Sequence, residues 1–244
     1  MQSVTGATDI DLSLPAKEKC AYFVITSDMD GGTYDFLSSL FYTFLFIKLI
    51  RYADSKPSGK CDVDVYMLLD EFSNIGAIPE FNKKISTARS RGIGIIPIVQ
   101  NIAQLKNRYP GDVWQEIVGN CDTRISLGCT DILTAEYISN LLGVATVENW
   151  SIRKDAGVDG NLKYGQKNIA NIQRRLLNPD EVLRIPFSKM VIILRGNKPY
   201  MIEKMKFVEH NLAKELKEES VNNYNPDWKK SKTQEKEILS FDDF

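Results

Sequence analysis

The chain has 244 residues and a mass of 27.7 kDa; 43% of its residues are hydrophobic and 26% are charged. This composition supports the core of at least one full domain and excludes an intrinsically disordered protein. The formal net charge is −1, so contact with DNA would need a local basic patch rather than an overall positive field.

Two scarce residue types restrict the chemistry further. The single histidine, His210, excludes multi-histidine metal sites and is interpreted as a solvated tail residue. The four cysteines form no CxxC pair, which favours reduced core thiols over disulfides or zinc ligands. They are Cys20, Cys61, Cys121 and Cys129. The N-terminus lacks the basic and apolar regions of a signal peptide, which favours a cytosolic location.

Five short apolar runs predict β-strands. They cover residues 21–26, 65–70, 93–99, 123–128 and 190–196. Near-continuous apolar strands that alternate with helical patterns are typical of a mostly parallel sheet covered by helices on both faces. The predicted fold class is therefore α/β.

Helical patterns occupy the intervals between these strands. The first, about 33–53, contains an apolar run at 36–50 that polar residues interrupt; we expect a buried helix too short to cross a bilayer. Next come a helix with Pro79 in its first turn and Gly92 as its stop, and a helix that Asp131 caps and Gly143 ends. A short helix is predicted to follow Asn178.

The pattern also predicts how the chain is divided. Residues 1–17 form an N-terminal extension, and 18–208 form the main domain. Within it, 144–175 is more polar and richer in glycine, which predicts a hairpin or an irregular insertion. Residues 209–244 are charged and predict a helix followed by a mobile tail.

The strongest chemical signal is the sequence VYMLLDEF, in which Asp70 and Glu71 follow an apolar strand. Ligands of parallel sheets bind at the carboxyl edge of the strands. Two carboxylates there suit a Walker B site, where Asp70 holds Mg²⁺ directly or through water and Glu71 polarises the attacking water. The alternative is that these carboxylates only cap the following helix.

Further candidates surround the next strand. Gln100 ends it and suits a sensor that contacts the γ-phosphate, although it also suits the turn before a helix. Arg89 is a candidate arginine finger, able to reach a neighbouring subunit's nucleotide. Lys83, Lys84 and Arg91 share its helix and are weak candidates for DNA contact, the alternative being a solvated basic face.

These segments together resemble the coupling proteins of type IV secretion, the TraG/TraD-like conjugative ATPases. The resemblance covers roughly residues 18–205. It is carried by LLDEFSNIGAIPEFNKKISTARSRGIGIIPIVQNIAQL, VGNCDTRISLGCTDILTAEYISNLLG, RRLLNPDEVLRIP and ILRGNKPY. It implies a RecA-like P-loop NTPase in which Asp70 and Glu71 match the Walker B pair, Gln100 the strand-end glutamine and Arg89 the proposed arginine finger.

The resemblance also implies cofactors, partners and location. The cofactors are ATP and Mg²⁺ in the full-length protein, and the partners are single-stranded transfer DNA, a relaxase and secretion-channel proteins. The full-length protein would be a homo-hexamer at the cytoplasmic face of the bacterial inner membrane. This chain itself is expected to be soluble, without a transmembrane segment.

One element of the family is missing from the sequence. No GxxxxGK[ST] motif is present, so the phosphate cradle and its strand are absent. We therefore expect an incomplete RecA-like sheet, a C-terminal part of the family's architecture, and little or no ATPase activity from this chain alone. The alternative function is a non-enzymatic module that binds DNA or protein; a DEAD-box helicase is a weaker third, because its other motifs are absent.

Overall fold

The computed structural model describes residues 10–25, 31–156 and 162–217. The chain forms two compact units, residues 13–204 and residues 1–12 with 205–244. In the second unit, 3-10 turns cover Phe207–Glu209 and Asn211–Glu215, and His210 between them is exposed. The predicted tail beyond residue 217 lies outside the described residues.

The first unit contains the strands and helices. Its helices are α1 (Gly31–Asp54), α2 (Phe81–Ala88), α3 (Ile102–Arg108), α4 (Val113–Gly119), α5 (Ile132–Leu142) and α6 (Pro179–Leu183). Its strands are β1 (Val65–Leu69), β2 (Ile93–Pro97), β3 (Thr123–Ser126), β4 (Val144–Ala156), β5 (Leu162–Arg175), β6 (Lys189–Leu194) and β7 (Tyr200–Glu203). A 3-10 turn over Arg89–Arg91 extends α2.

These strands form three sheets with different pairing. β1 and β2 are parallel, whereas β3-β6-β7 and the β4–β5 hairpin are antiparallel. The α/β class is confirmed, but the pairing is mixed rather than mostly parallel. A short turn at 195–199 joins β6 to β7, and so short a connection permits only an antiparallel pair.

The first predicted strand does not form. Residues 21–25 take no strand conformation, and Phe23 and Ile25 are largely exposed. A strand needs a hydrogen-bonded neighbour, and within the described residues none pairs with this run. Its last predicted residue, Thr26, lies outside the described residues. Conversely, α4 and β7 form without having been predicted.

Helix α1 is longer than the sequence analysis predicted. Its residues Asp35–Asp54 are long and apolar enough to cross a membrane by length and composition alone, a test that core helices of soluble proteins also pass. Length alone therefore does not test the prediction that this run lies outside a membrane. Residues on one stripe of the helix are buried, as expected for a helix packed on a core. They are Tyr42, Leu45, Phe46, Leu49 and Ala53.

An aromatic cluster forms the core between α1, α2 and the segment after β1. Phe81 lies at its centre and is fully buried. Its ring centroid lies 4.6 Å from that of Phe72, 6.0 Å from that of Phe46 and 6.1 Å from that of Tyr109. A second cluster packs α5 against α6 and β6. The aromatic cluster anchors the backbone immediately after the two candidate carboxylates.

The helix boundaries follow the predicted signals with one exception. Asp131 accepts a hydrogen bond from the Thr134 amide at 2.9 Å, and Gly143 has the positive φ of 81°. The exception is α2, which begins at Phe81 rather than in a turn containing Pro79. Glu80 has a φ of 53°, a left-handed conformation that cannot continue an α-helix.

The described cysteines are free thiols, as predicted. They are not all in the core: Cys20 is exposed and the other three are half-buried. Burial raises the pKa of the Cys121 thiol, which keeps it protonated and less reactive.

Candidate functional site

Asp70, Glu71 and Gln100 lie at one edge of the parallel β1–β2 pair. The ladder continues past both strands: the Ile98 amide donates to the Leu69 carbonyl, and the Phe72 amide donates to the Ile98 carbonyl, both at 2.9 Å. Because parallel strands place their carboxyl ends together, the side chains that follow β1 and β2 converge.

The Glu71 carboxylate is held by amides on both of its oxygens. Gln100 Nε2 donates to Oε1 at 3.2 Å, and Asn74 Nδ2 donates to Oε2 at 2.8 Å. The Glu71 backbone has a φ of 47°, uncommon for a residue with a side chain, and its amide donates to Asp70 Oδ1 at 3.0 Å. The carboxylate is exposed and oriented by its neighbours, the arrangement that suits a group that acts on a bound water.

A second amide extends this network onto α3. Gln104 Nε2 donates to Gln100 Oε1 at 3.3 Å, and the Gln104 backbone amide donates to the Asn101 side chain that caps the helix. Sequence reasoning missed Asn74 and Gln104. Their spacing was the available signal: Asn74 is three residues after Glu71, and Gln104 lies one helical turn beyond Gln100.

An ion pair supports the loop after Glu71. Arg108 Nη1 lies 2.8 Å from Asp35 Oδ2 on α1, and Arg108 Nε donates to the Ser73 carbonyl at 2.8 Å. Gly76 lies so close to α1 that an added Cβ would come within 2.3 Å of the Asp35 carbonyl oxygen. A cleft of about 380 Å³ opens here, lined by Ser73, Asn74, Ala77, Gln104, Asn107 and Arg108.

Tyr109 fixes the end of the same loop. Its ring stacks on Phe72 with centroids 5.3 Å apart, and its hydroxyl accepts a hydrogen bond from the buried Ile78 amide at 3.1 Å. Burial raises the pKa of Tyr109 to about 12. The hydroxyl therefore stays protonated in the folded protein at pH values where an exposed tyrosine ionises.

We expect Tyr109→Phe to lower the free energy of unfolding by about 1–3 kcal/mol, because the Ile78 amide loses its acceptor. Because the folded pKa lies above the unfolded value of about 10, this group's contribution to stability is complete below pH 10 and lost as pH rises toward 12. Urea unfolding at pH 7, 9 and 11 measures both effects. A stability difference between the two proteins that does not change between pH 9 and 11 would contradict the assignment.

Arg89 does not lie with Glu71 and Gln100. It belongs to the turn before β2, at the amino end of the parallel pair, and forms an ion pair with Asp122. Asp122 also contacts Arg195 at 3.3 Å. The Arg89 side chain is 78% exposed, so it faces outward from this chain and is not part of the Glu71 network.

The three predicted DNA contacts on the same segment have partners within the chain. Lys83 Nζ lies 2.6 Å from Glu80 Oε1, and Arg91 Nε lies 2.7 Å from Asp54 Oδ1. Lys84 donates to the Pro79 carbonyl. The hydrogen bond from Lys83 lowers the pKa of Glu80, which keeps the acid ionised and the local charge partly neutralised.

The side chains at this edge of the sheet determine which ligands it can bind. Mg²⁺ prefers oxygen ligands and commonly uses one or two carboxylates, with water and nucleotide phosphates completing the shell. Asp70 has a carboxylate of this kind, and beside it Glu71 accepts a hydrogen bond from the Gln100 side-chain amide. Within the described residues no group of three potential metal ligands occurs. Mg²⁺ held by Asp70 would therefore need further oxygen ligands from water and a nucleotide.

The fold is α/β and matches part of a RecA-like P-loop NTPase fold. Solved structures of the plasmid coupling protein TrwB share the fold: the complex with GDPNP gives a TM-score of 0.61 at 16% identity over 80% of this chain and 43% of that one. The TrwB complex with ADP and Mg²⁺ gives a TM-score of 0.61 at 15% identity, with the same coverage.

Sequence comparison identifies the family. The family model described as type IV secretory system conjugative DNA transfer matches residues 1–236, and the chain belongs to this family. It is 30% identical over 143 residues to the conjugal transfer protein TraG of Escherichia coli, covering 57% of this chain and 22% of TraG. It is 22% identical over 220 residues to VirD4 of Rhizobium radiobacter, covering 88% of this chain and 30% of VirD4.

Proposed function

We propose that the chain is the Walker B and sensor part of an ATPase that drives conjugative DNA transfer. The Glu71 carboxylate, held between the Gln100 and Asn74 amides, supports this proposal most directly. Asp70 would bind Mg²⁺ directly or through water, Glu71 would orient and polarise the attacking water, and Gln100 would report the state of the γ-phosphate. Bound ATP supplies the phosphoanhydride that is cleaved.

The phosphate cradle of this site has to come from outside the chain. The sequence contains no GxxxxGK[ST], the motif whose backbone amides and lysine bind phosphates. Among the described strands, β2 pairs only with β1, and β3 pairs only with β6, so each has a free edge. A strand bearing the cradle could pair there, and the chain spans only 20–31% of the curated relatives' lengths.

The further assignments follow from family membership. The complete protein would act as a homo-hexamer at the cytoplasmic face of the cell membrane, taking relaxase-bound single-stranded DNA to the secretion channel. Arg89 would serve as an arginine finger: its exposed guanidinium points away from its own chain's site, as a residue acting on a neighbour's nucleotide must. Its ion pair with Asp122 would open when the neighbour binds.

Asp70→Ala is the experiment that tests this function. In donor cells whose coupling protein carries the change, we expect the DNA transfer frequency to fall by about 100-fold or more, because Mg²⁺ loses its carboxylate. The matched control is Asp112→Ala, an exposed aspartate whose side chain caps no helix. Transfer at the wild-type frequency with a normal level of the Asp70→Ala protein would refute the proposal.

A second candidate is a module that binds DNA or protein without nucleotide. The absent cradle and the exposed apolar face of the β1–β2 pair favour it, since Tyr66 and Leu68 are each 67% exposed. Under this function Asp70→Ala would leave transfer unchanged, which distinguishes the two candidates.

A further inference from the structure

Arg89 and Arg195 bind the two oxygens of a single carboxylate, that of Asp122. Arg89 Nη1 donates to Asp122 Oδ2, and Arg195 Nη1 donates to Asp122 Oδ1 at 3.3 Å. The side chains of the two arginines are 78% and 80% exposed. The shared carboxylate therefore holds two guanidinium groups side by side at the surface of the chain.

The backbone brings these residues together from separate parts of the chain. Asp122 and Arg195 extend the β3–β6 ladder by one position, since the Arg195 amide donates to the Asp122 carbonyl at 2.9 Å. Arg89 comes from the 3-10 turn after α2, which precedes β2. Because 73 positions separate Asp122 from Arg195, their contact follows from the strand pairing and not from a local pattern.

Most of the donor groups on these two side chains remain open. An arginine has five N–H groups. Within the described residues, Arg89 and Arg195 donate from Nη1 only, so Nε and Nη2 of each can bind another acceptor. Arg91 and Arg108 differ, because each donates from two nitrogens and is only 25% or 29% exposed. Those two arginines hold segments of the fold together.

The charge and the donors at this surface suit an anion. Two guanidiniums and one carboxylate leave a net charge of +1. The turn at 195–199 adds Lys198 and contains no acidic residue. Planar guanidiniums match the oxygens of a phosphate in pairs, so two of them side by side can bind a chain of phosphates.

We propose that Arg89 and Arg195 together form a two-arginine clamp for the phosphates of a nucleotide bound to a neighbouring copy of the protein. The proposal rests on the proposed function, which gives Arg89 alone a contact across the subunit boundary; the clamp adds Arg195. Because both side chains are already paired at the surface, less conformational freedom is lost when the phosphates bind than for two unsupported arginines.

The first measurement is the binding of inorganic tripolyphosphate to the 244-residue chain, by isothermal titration calorimetry at low salt. Low salt is used because salt screens interactions between exposed charges. We expect Arg195→Ala to weaken binding about fivefold, since a charged hydrogen-bonding group is lost. Arg195→Lys keeps the charge but not the planar fork and should recover only part of the affinity.

The matched control is Arg184→Ala. Arg184 is also 78% exposed and pairs with a single carboxylate, that of Asp180, at 3.5 Å. Its loss removes the same charge from a different surface, so we expect its affinity for tripolyphosphate to stay within about twofold of wild type. Thermal unfolding followed by circular dichroism checks that each variant is folded.

The second measurement tests whether the clamp acts across a subunit boundary, in a protein that contains both this chain and the phosphate-binding loop. Arg195→Ala and Glu71→Gln should each slow ATP hydrolysis by at least about tenfold. When the two variants are co-expressed, an intact Glu71 in one subunit meets an intact Arg195 in its neighbour, so hydrolysis should exceed the sum of the separate variants. A contact within one subunit would give no gain, because every site would lack one of the two residues.

Four results would overturn the clamp: no tripolyphosphate binding by wild type, equal losses in the Arg195→Ala and Arg184→Ala chains, no gain on co-expression, or a larger Arg195→Ala defect with an oligothymidylate than with tripolyphosphate. The last would identify the phosphates as those of a nucleic acid strand. If Arg195→Ala hydrolyses ATP normally and Glu71→Gln does not, the clamp alone fails. If Glu71→Gln also hydrolyses ATP normally, the proposed ATPase function fails and the clamp fails with it.

Discussion

Replacing Glu71 by Gln should abolish ATP turnover while preserving ATP binding, in a protein that contains both this chain and the phosphate-binding loop. The substitution keeps the size of the side chain but removes the negative charge that, in the proposed function, would polarise the attacking water. General-base contributions of this kind are worth about 10² to 10⁴ in rate. Steady-state hydrolysis gives kcat, and titration with a fluorescent ATP analogue gives affinity separately.

The geometry around Glu71 makes this result specific. Both carboxylate oxygens accept amide N–H groups, from Gln100 at 3.2 Å and from Asn74 at 2.8 Å. A glutamine at position 71 can accept on one side only, so its own amide nitrogen would face an N–H donor on the other. We therefore expect Glu71→Gln to weaken the hydrogen bonds that hold the loop, in addition to removing the carboxylate proposed as the general base.

The matched control is Glu136→Gln, an exposed carboxylate on α5. It makes the same chemical change away from the β1–β2 edge and should leave kcat within about twofold of wild type. Undiminished hydrolysis by Glu71→Gln would remove Glu71 from its assigned role, and loss of ATP binding would show that it holds the nucleotide instead.

Phe81→Ala should cost the most stability among single core substitutions, about 3–5 kcal/mol. Phe81 is fully buried and contacts three aromatic rings, those of Phe46, Phe72 and Tyr109. Removing its ring leaves a cavity that rigid neighbours cannot fill by small shifts. The free energy of unfolding, measured with urea on the 244-residue chain, gives the loss directly.

Phe187→Ala is the comparison for that experiment. Phe187 is 92% exposed, and its main described contact is the Lys204 ammonium, 4.3 Å from the ring centroid. Its loss should cost about 1 kcal/mol or less. Equal losses for the two substitutions would mean that the aromatic cluster does not determine the stability of this unit.

The aromatic cluster also links stability to the site. Phe72 follows Glu71 directly, so the ring that packs on Phe81 fixes the backbone that positions the carboxylate. A partly destabilised variant should therefore lose activity before it unfolds. We expect activity to be lost before unfolding because Phe72 and Glu71 are adjacent in the chain. No coupling over a longer distance is needed.

Much of the candidate site was predictable because it follows local rules. An apolar strand followed by Asp70 and Glu71, and a second strand followed by Gln100, places three polar groups at one edge whenever the two strands are parallel and adjacent. The helix starts at Asp131 and Asn178 were equally local: the Asp131 side chain accepts from the Thr134 amide, and the Glu181 carboxylate accepts from the Asn178 amide. The DNA contact predicted at Arg91 could not be judged this way, since its partner Asp54 is distant in sequence and becomes visible only in the fold.

The sequence by itself determined the α/β class, the Asp70–Glu71 carboxylate pair, the strand-end Gln100 and the lack of a GxxxxGK[ST] motif, because each depends on residue type and short spacing. Only the tertiary structure decided that Asn74 and Gln100 hold opposite oxygens of Glu71, that Arg89 pairs with Asp122 away from the site, and that residues 21–25 form no strand. These outcomes depend on which elements become neighbours: a strand needs a hydrogen-bonded partner strand, and Asp122 is far from Arg89 in sequence.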